Sequence, residues 1–249
     1  MTIALDVATL TRRGGRKHNE DACGHWHSPS HLCCVMADGA GGHGGGDKAS
    51  KLAVGNILEL FAAGPGIAPA LVERLIAGAN RSIIDHRADD RTVRNMYTTV
   101  VVLAADLPSG RVVWGHCGDS RLYAFRAGRI AARTRDHSLV QSLVDGGMLA
   151  PEEMLSHPQR SELLSALGVE VEDLQVAVSA EAWHLQPGDV FFLCTDGLWE
   201  YVDDAQLEAS LAAASDPLAW LHALEQRVLE AAVKKPRHDN FTALTAWAR

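Results

Sequence analysis

Unbroken runs of β-branched, aromatic and other apolar residues, each bounded by turn residues, predict strands at Leu32–Ala37, Thr98–Ala105, Arg111–His116, Arg121–Arg126, Val190–Cys194 and Phe241–Trp247. A further early strand is expected to open at Glu20-Asp21. Three stretches repeat their apolar residues at helical spacing instead. The first is Asp47–Ala62, with Ala53, Ile57, Leu60 and Phe61 on one stripe; the second carries Leu71, Leu75, Ile76, Ala79 and Ile83; the third runs to Pro236 with Leu221, Leu224, Val228 and Leu229. Thr98–Ala105 and Arg111–His116 are joined by five residues, and the next strand follows the tight Gly118-Asp119-Ser120 turn, so antiparallel meanders are expected. Helices grouped between groups of strands favour an antiparallel α+β layered domain over an alternating α/β one.

The segment Asp136 to Gly168 breaks this rhythm. It mixes weak helical signals with Gly146-Gly147, Pro151 and Pro158, and reads as an excursion from the scaffold. No repeat, low-complexity tract or linker divides the 249 residues, so one domain spanning 1–249 is expected, near the size at which single cores stop growing.

Composition narrows the class. Hydrophobic residues make up 47% and charged residues 22%, which supports a sizeable core and excludes wholesale disorder. The 23 basic and 31 acidic residues give a net charge of −8, and apart from a turn at Arg12–His18 the only basic cluster is the short Lys234, Lys235 and Arg237, so nucleic acid is not an expected partner. Met1–Leu5 meets Asp6 at once, with Arg12 and Arg13 following, the reverse of a secretion signal. The longest stretch free of both charged residues and histidine, Leu60 to Val72, holds Pro65 and Pro69 and falls short of the roughly 20 residues a membrane helix needs. A soluble, cytoplasmic, monomeric protein without membrane association is expected. The five cysteines, odd in number and mostly inside apolar runs, suit buried thiols in a reducing compartment.

The candidate chemistry lies in carboxylates at strand ends: Asp38 after Leu32–Ala37, Asp196 after Val190–Thr195, Asp239 before the last strand, and Glu20 and Asp21 at the start of an early one. A single Asp-Gly is an ordinary turn signal. Together, acids without basic neighbours would repel one another unless protonated or neutralised by cations. All-oxygen ligands select Mg²⁺ or Mn²⁺ over zinc. Two such ions about 3.5–4 Å apart acidify a shared water, a device suited to attack on phosphorus. The basic turn Arg12–His18 immediately precedes Glu20, and a guanidinium fork at Arg16 can hold two phosphoryl oxygens.

Two other patterns compete. Gly39-Ala40-Gly41-Gly42-His43-Gly44 matches G-x-G-x-x-G, with Glu59 twenty residues past Gly39. The residues leading to Glu59 are helix-periodic, and Asp38 would set a carboxylate beside the pyrophosphate, so dinucleotide binding is disfavoured. Cys23, His25, His27, His31, Cys33 and Cys34 alternate along two candidate strands, yet no zinc-type spacing closes a four-ligand set.

The segments Arg16-x-x-Asn19-Glu20-Asp21, Met36-Ala37-Asp38-Gly39-Ala40-Gly41-Gly42-His43, Gly118-Asp119-Ser120-Arg121-x-Tyr123, Thr134-x-Asp136-His137-Ser138, Cys194-Thr195-Asp196-Gly197-Leu198-Trp199 and Asp239-Asn240-x-Thr242 occur in the order and spacing of bacterial PP2C-type (PPM) serine/threonine protein phosphatases. The chain resembles that family over essentially its whole length. The resemblance implies a four-layer αββα sandwich, two antiparallel β-sheets flanked by helices, with a binuclear Mn²⁺ or Mg²⁺ centre at one end. By motif position, Asp38 would bridge both metals, Gly39 would offer its carbonyl, and Asp196 and Asp239 would complete the inner ligands. Glu20 and Asp21 would act through water, Arg16 would bind substrate phosphate, and Asp119 matches the position of a third, weaker metal. Residues 136–168 would be the flap beside the site. Ala40 stands where animal members carry a histidine general acid, which leaves water or His43 for that role.

The expected activity is hydrolysis of phosphoserine and phosphothreonine in proteins, opposing a bacterial Ser/Thr kinase or acting on its targets, with no phosphoenzyme. The alternatives are a catalytically silent phosphoprotein-binding module of the same fold and, poorly matched to the net charge of −8, a metal-dependent phosphodiesterase or nuclease.

Overall fold

The computed structural model describes residues 3–41, 45–89, 95–233, 235 and 237–249. Two antiparallel sheets lie face to face. The first has the order β1 (Leu5–Arg12), β13 (Phe241–Ala248), β12 (Val190–Cys194), β8 (Arg121–Arg126), β9 (Arg129–Arg133). The second runs β10 (Ala177–Val178), β7 (Arg111–Cys117), β6 (Val100–Asp106), β3 (His31–Ala37), β2 (Ala22–His27), with β11 (Trp183–His184) also on β7. A short pair, β4 (Gly39–Ala40) and β5 (Tyr97–Thr98), sits beyond the end of β3.

The unbroken apolar runs follow from burial on both faces of each sheet. In β3, Leu32, Cys34 and Met36 point at the opposite sheet, where they meet Leu122, Phe191, Leu193 and Leu244. The alternate residues Cys33, Val35 and Ala37 point outward to α1 (Gly45–Ala63) and α2 (Pro69–Asp89), against Ile57, Phe61, Ile76 and Ile83. The other sheet turns Tyr123, Phe125, Phe192 and Ala243 outward onto Trp220, Leu224 and Val228 of α6 (Pro217–Ala232) and onto Leu207 of α5 (Asp204–Ala213). Helix, sheet, sheet and helix therefore make four layers, the expected αββα sandwich.

Local pattern left some features undetermined. The chain leaves β7 through Gly118-Asp119-Ser120 into β8 of the other sheet, so these strands are not the expected hairpin partners. A strand apolar on both faces carries no periodic mark of which sheet it joins. Leu60 and Leu229, both assigned to buried stripes, are 44% and 41% exposed at the margins of their helices. Strand β1 carries neither an unbroken apolar run nor a strict alternation, with Asp6, Thr9, Thr11 and Arg12 exposed, so its sequence gives no strand signal of the kind that marks the others.

The 136–168 excursion holds α3 (Leu139–Asp145) and a 3₁₀ turn, Pro151–Ser156. Ser138 pairs with Leu163 across the excursion itself, while His137 N–H donates to the Gly118 carbonyl (2.9 Å) and Leu167 pairs with Thr98, so both ends are stitched to the site end of the sandwich; Met148, Leu155 and Leu164 stay exposed. No described helix is long and apolar enough to cross a membrane.

Candidate metal centre

The strand ends that carry the acids meet at one end of the sandwich. Asp38 follows β3, Asp119 follows β7, Asp196 opens the four-residue helix α4 (Asp196–Trp199) after β12, Asp239 precedes β13, and Glu20 precedes β2. These five line one pocket of about 960 Å³, together with Arg16, Gly39 and Asn240. Asp21 lies just beneath it, 6% exposed, where its Oδ2 accepts the hydroxyls of Thr195 (3.0 Å) and Thr242 (2.7 Å).

Backbone bonds fix these positions. The Asp38 N–H donates to Thr99 Oγ1 (3.0 Å), its carbonyl accepts from Thr99 N–H and the Thr98 hydroxyl (both 2.8 Å), and Thr99 Oγ1 bonds Ser120 Oγ (2.7 Å). Asn240 locks the opposite wall. Its Oδ1 accepts from Glu20 N–H (2.8 Å), and its amide donates to the carbonyls of Arg13 (2.7 Å) and His18 (2.9 Å), tying the basic turn to β13. Gly39 packs so closely against Gly46 that a Cβ would overlap the Gly46 carbonyl. The glycine-rich turn thus lets α1 start directly against the Asp38 loop.

The electrostatics are those of acids crowded together. Asp38 is pushed far above the ordinary carboxylate range by burial, then by Asp21, Asp196, Asp119 and Asp239. Burial raises Asp21 to about 7, against the pull of the Thr242 hydroxyl, with Asp196 adding to the rise. Asp196 rises to about 6 through burial, Asp239 and Glu200. Asp119 is raised by burial, then by Asp196 and Asp136, with Arg121 opposing. Asp21 Oδ1 and Asp196 Oδ1 are buried and find no hydrogen-bond donor. Clustered hard oxygens, some orphaned and each disfavouring its neighbours' charge, are a donor set that fits divalent cations such as Mn²⁺ or Mg²⁺. Among the described residues no three His, Cys, Asp or Glu side chains close on one point as a finished metal cage; the acids line an open pocket.

Arg16 stands at the rim and ion-pairs with Asp239, so the proposed phosphate clamp and a proposed ligand are joined. His43, the candidate general acid, lies outside the described residues. The cysteine and histidine hairpin gathers no metal set: His25 and His27 stack on the exposed side of β2, Cys33 and Cys34 are fully buried, and burial pushes the Cys23 thiol up to about 11. All five cysteines are free.

One part of the site went unassigned in the sequence. Arg121, 8% exposed, donates Nε and Nη2 to the two oxygens of Asp136 (2.9 and 2.7 Å) and lies 3.6 Å over the Trp199 ring. Trp199 Nε1 in turn donates to the Asp119 carbonyl (3.0 Å). An arginine opening an otherwise apolar strand was the available signal, since a buried guanidinium requires a partner.

Residues 11–235 match the protein phosphatase 2C family model. The serine/threonine protein phosphatase PstP of Mycobacterium tuberculosis is 34% identical over 249 residues, covering 99% of this chain; the chain spans 45% of the length of that relative. The solved structure described as PppA, a key regulatory component of T6SS in Pseudomonas aeruginosa, superposes with a TM-score of 0.79 at 33% identity, covering 100% of this chain and 99% of that one. The catalytic domain of PstP in complex with two manganese ions superposes at 0.83 with 27% identity, covering 99% of each. With the motifs in order along the sequence, the two-sheet sandwich and the acid pocket at its end, the chain belongs to the protein phosphatase 2C family.

Proposed function

We propose that this chain is a metal-dependent protein phosphatase that hydrolyses phosphoserine and phosphothreonine by direct attack of water, without a phosphoenzyme. The observation that carries the reading is the meeting of Asp38, Asp119, Asp196, Asp239 and Glu20 in one pocket with buried carboxylate oxygens left unpaired. Asp38, the Gly39 carbonyl, Asp196 and Asp239 would hold two divalent cations, with Glu20 and Asp21 acting through water and Asp119 serving a third, weaker site. Bound Mn²⁺ or Mg²⁺ supplies positive charge against the phosphoryl oxygens and acidifies water. The manganese ions in the PstP catalytic domain support this choice.

The chain's own residues set up the reaction. Arg16, on a turn fastened by Asn240, is half exposed at the rim and exchanges Asp239 for two phosphoryl oxygens of the substrate as its fork allows. Thr98, Thr99 and Ser120 hold the Asp38 backbone and keep its carboxyl aimed into the pocket. Water or His43 remains the proposed source of the leaving-group proton. No cysteine is needed: four are buried, and desolvation holds Cys117 at about 11.

On this reading residues 1–249 form one phosphatase domain with a flap at 136–168, acting in the cytoplasm as a monomer on phosphorylated proteins, against a Ser/Thr kinase. No observation favours the silent binding module. The test is Mn²⁺-dependent phosphate release from p-nitrophenyl phosphate and a phosphothreonine peptide, beside Asp38→Ala. Release is expected from the parent alone and is lost on chelation; equal release by Asp38→Ala, or survival of activity after exhaustive chelation, overturns the metal reading.

A further inference from the structure

The basic cluster near the C-terminus has no part in the catalytic reading. Lys235 and Arg237 line a second pocket of about 400 Å³ that also contains Arg16, Asp196 and Asp239 and so opens directly onto the acid centre. Arg160, from the flap, faces the same space. In a chain of net charge −8 this is a local concentration of positive charge.

The cations differ in what already satisfies them. Arg16 is taken by Asp239, and Arg160 donates Nε to Glu200 (3.1 Å). Lys235 lies 4.9 Å above the Tyr201 ring, and its carbonyl is bonded by the His238 ring (3.2 Å). Neither Lys235 nor Arg237 has a carboxylate partner among the described residues. The acids of this pocket are engaged too: Asp196 and Asp239 belong to the proposed cation site, and Glu200 is held by Arg160. Two cations are therefore left facing the space beside the position of the scissile phosphate.

We propose that this basic annex is a specificity subsite for a second anionic group on the phosphoprotein substrate, a carboxylate or a further phosphate a few residues from the one removed. The assignment rests on the phosphatase reading and adds to it a preference among substrates. Arg237 presents a planar fork suited to either anion, and Lys235 a point charge fixed over an aromatic ring. Exposed pairs of this kind are weak singly, so two together give a preference of roughly 3- to 30-fold in kcat/KM.

Three phosphothreonine peptides test it: one flanked on both sides by aspartates, one flanked by asparagines as the neutral reference, and one flanked by asparagines that carries a second phosphothreonine a few residues away. The parent is expected to favour one or both anionic peptides over the neutral one, and the favoured peptide identifies the source of the anion. That preference shrinks as salt shortens the Debye length from ~30 to ~3 Å. In Lys235→Gln/Arg237→Gln the ratio of anionic to neutral kcat/KM falls to about one, while p-nitrophenyl phosphate reports the intact centre. Arg237→Glu shifts the ratio below one, which misfolding does not produce. Fluorescence anisotropy of the same peptides under chelation reads the annex without turnover, so a failure of hydrolysis and a failure of the subsite are separate results. Equal handling of all three peptides by the parent, or a preference that survives in the double variant, overturns the proposal.

Discussion

Removing the Asp136 carboxylate is the sharpest available perturbation, because it strands a buried guanidinium. Asp136 and Arg121 are 7% and 8% exposed and joined by two hydrogen bonds of 2.9 and 2.7 Å. In Asp136→Ala, Arg121 keeps only a long contact to the Tyr123 hydroxyl (3.3 Å) and the Trp199 ring. Leaving one member of a buried pair unpaired costs about 3–5 kcal/mol. For a chain of this size each kcal/mol is worth ~2–4 °C, so Tm falls by roughly 6–20 °C. Arg121→Met/Asp136→Leu removes both charges and keeps the volume, and recovers at least half of that loss, because the pair's own desolvation cost disappears with it. Urea unfolding of parent, singles and double under chelation, followed by tryptophan fluorescence and circular dichroism, supplies the cycle. A loss below about 1 kcal/mol in Asp136→Ala, or a double variant as costly as the two singles added, refutes the reasoning.

Three further outcomes are expected. Burial raises Asp21 to about 7 and Asp196 to about 6, so the metal-free fold holds protons that the unfolded chain has released; the contribution of these two acids to stability is fully present below about pH 4 and is lost as pH rises through 7, so metal-free stability falls between pH 5 and 8 in urea titrations, a slope that saturating Mn²⁺ reverses. An unchanged slope with and without Mn²⁺ would sink the claim that cations relieve these acids. Asn240→Ala abolishes three hydrogen bonds that pin the basic turn, which costs about 2–4 kcal/mol by denaturant unfolding and raises KM for phosphopeptide more than it lowers kcat. Gly39→Ala forces a Cβ into the Gly46 carbonyl, and calorimetry together with Mn²⁺ titration should show a lowered Tm and weakened metal binding, whereas Gly55→Ala, with open space around it, is tolerated.

Much of the scaffold was written locally. Strands β8 and β12 lie where the apolar runs placed them, because each run ends at a turn residue. The acids stood out because Asp38 and Asp196 each terminate such a run. Helix α5 is poorly marked in the sequence: its alanines, serine and acids around Leu207 and Leu211 give little amphipathic contrast, although Asp203 and Gln206 cap it reciprocally.

By itself the sequence determined which residues could be strand, helix or turn, and which carboxylates sat where a strand stops, since both depend on near neighbours in the chain. Tertiary structure decided which sheet each strand joins, that Arg16 rests on Asp239, that Arg121 finds Asp136 and Trp199, and that Lys235 and Arg237 open onto the acid pocket. The reason is physical: a strand buried on both faces has no periodic mark of its neighbour, and a charge takes as its partner whatever the packing of distant segments brings within reach.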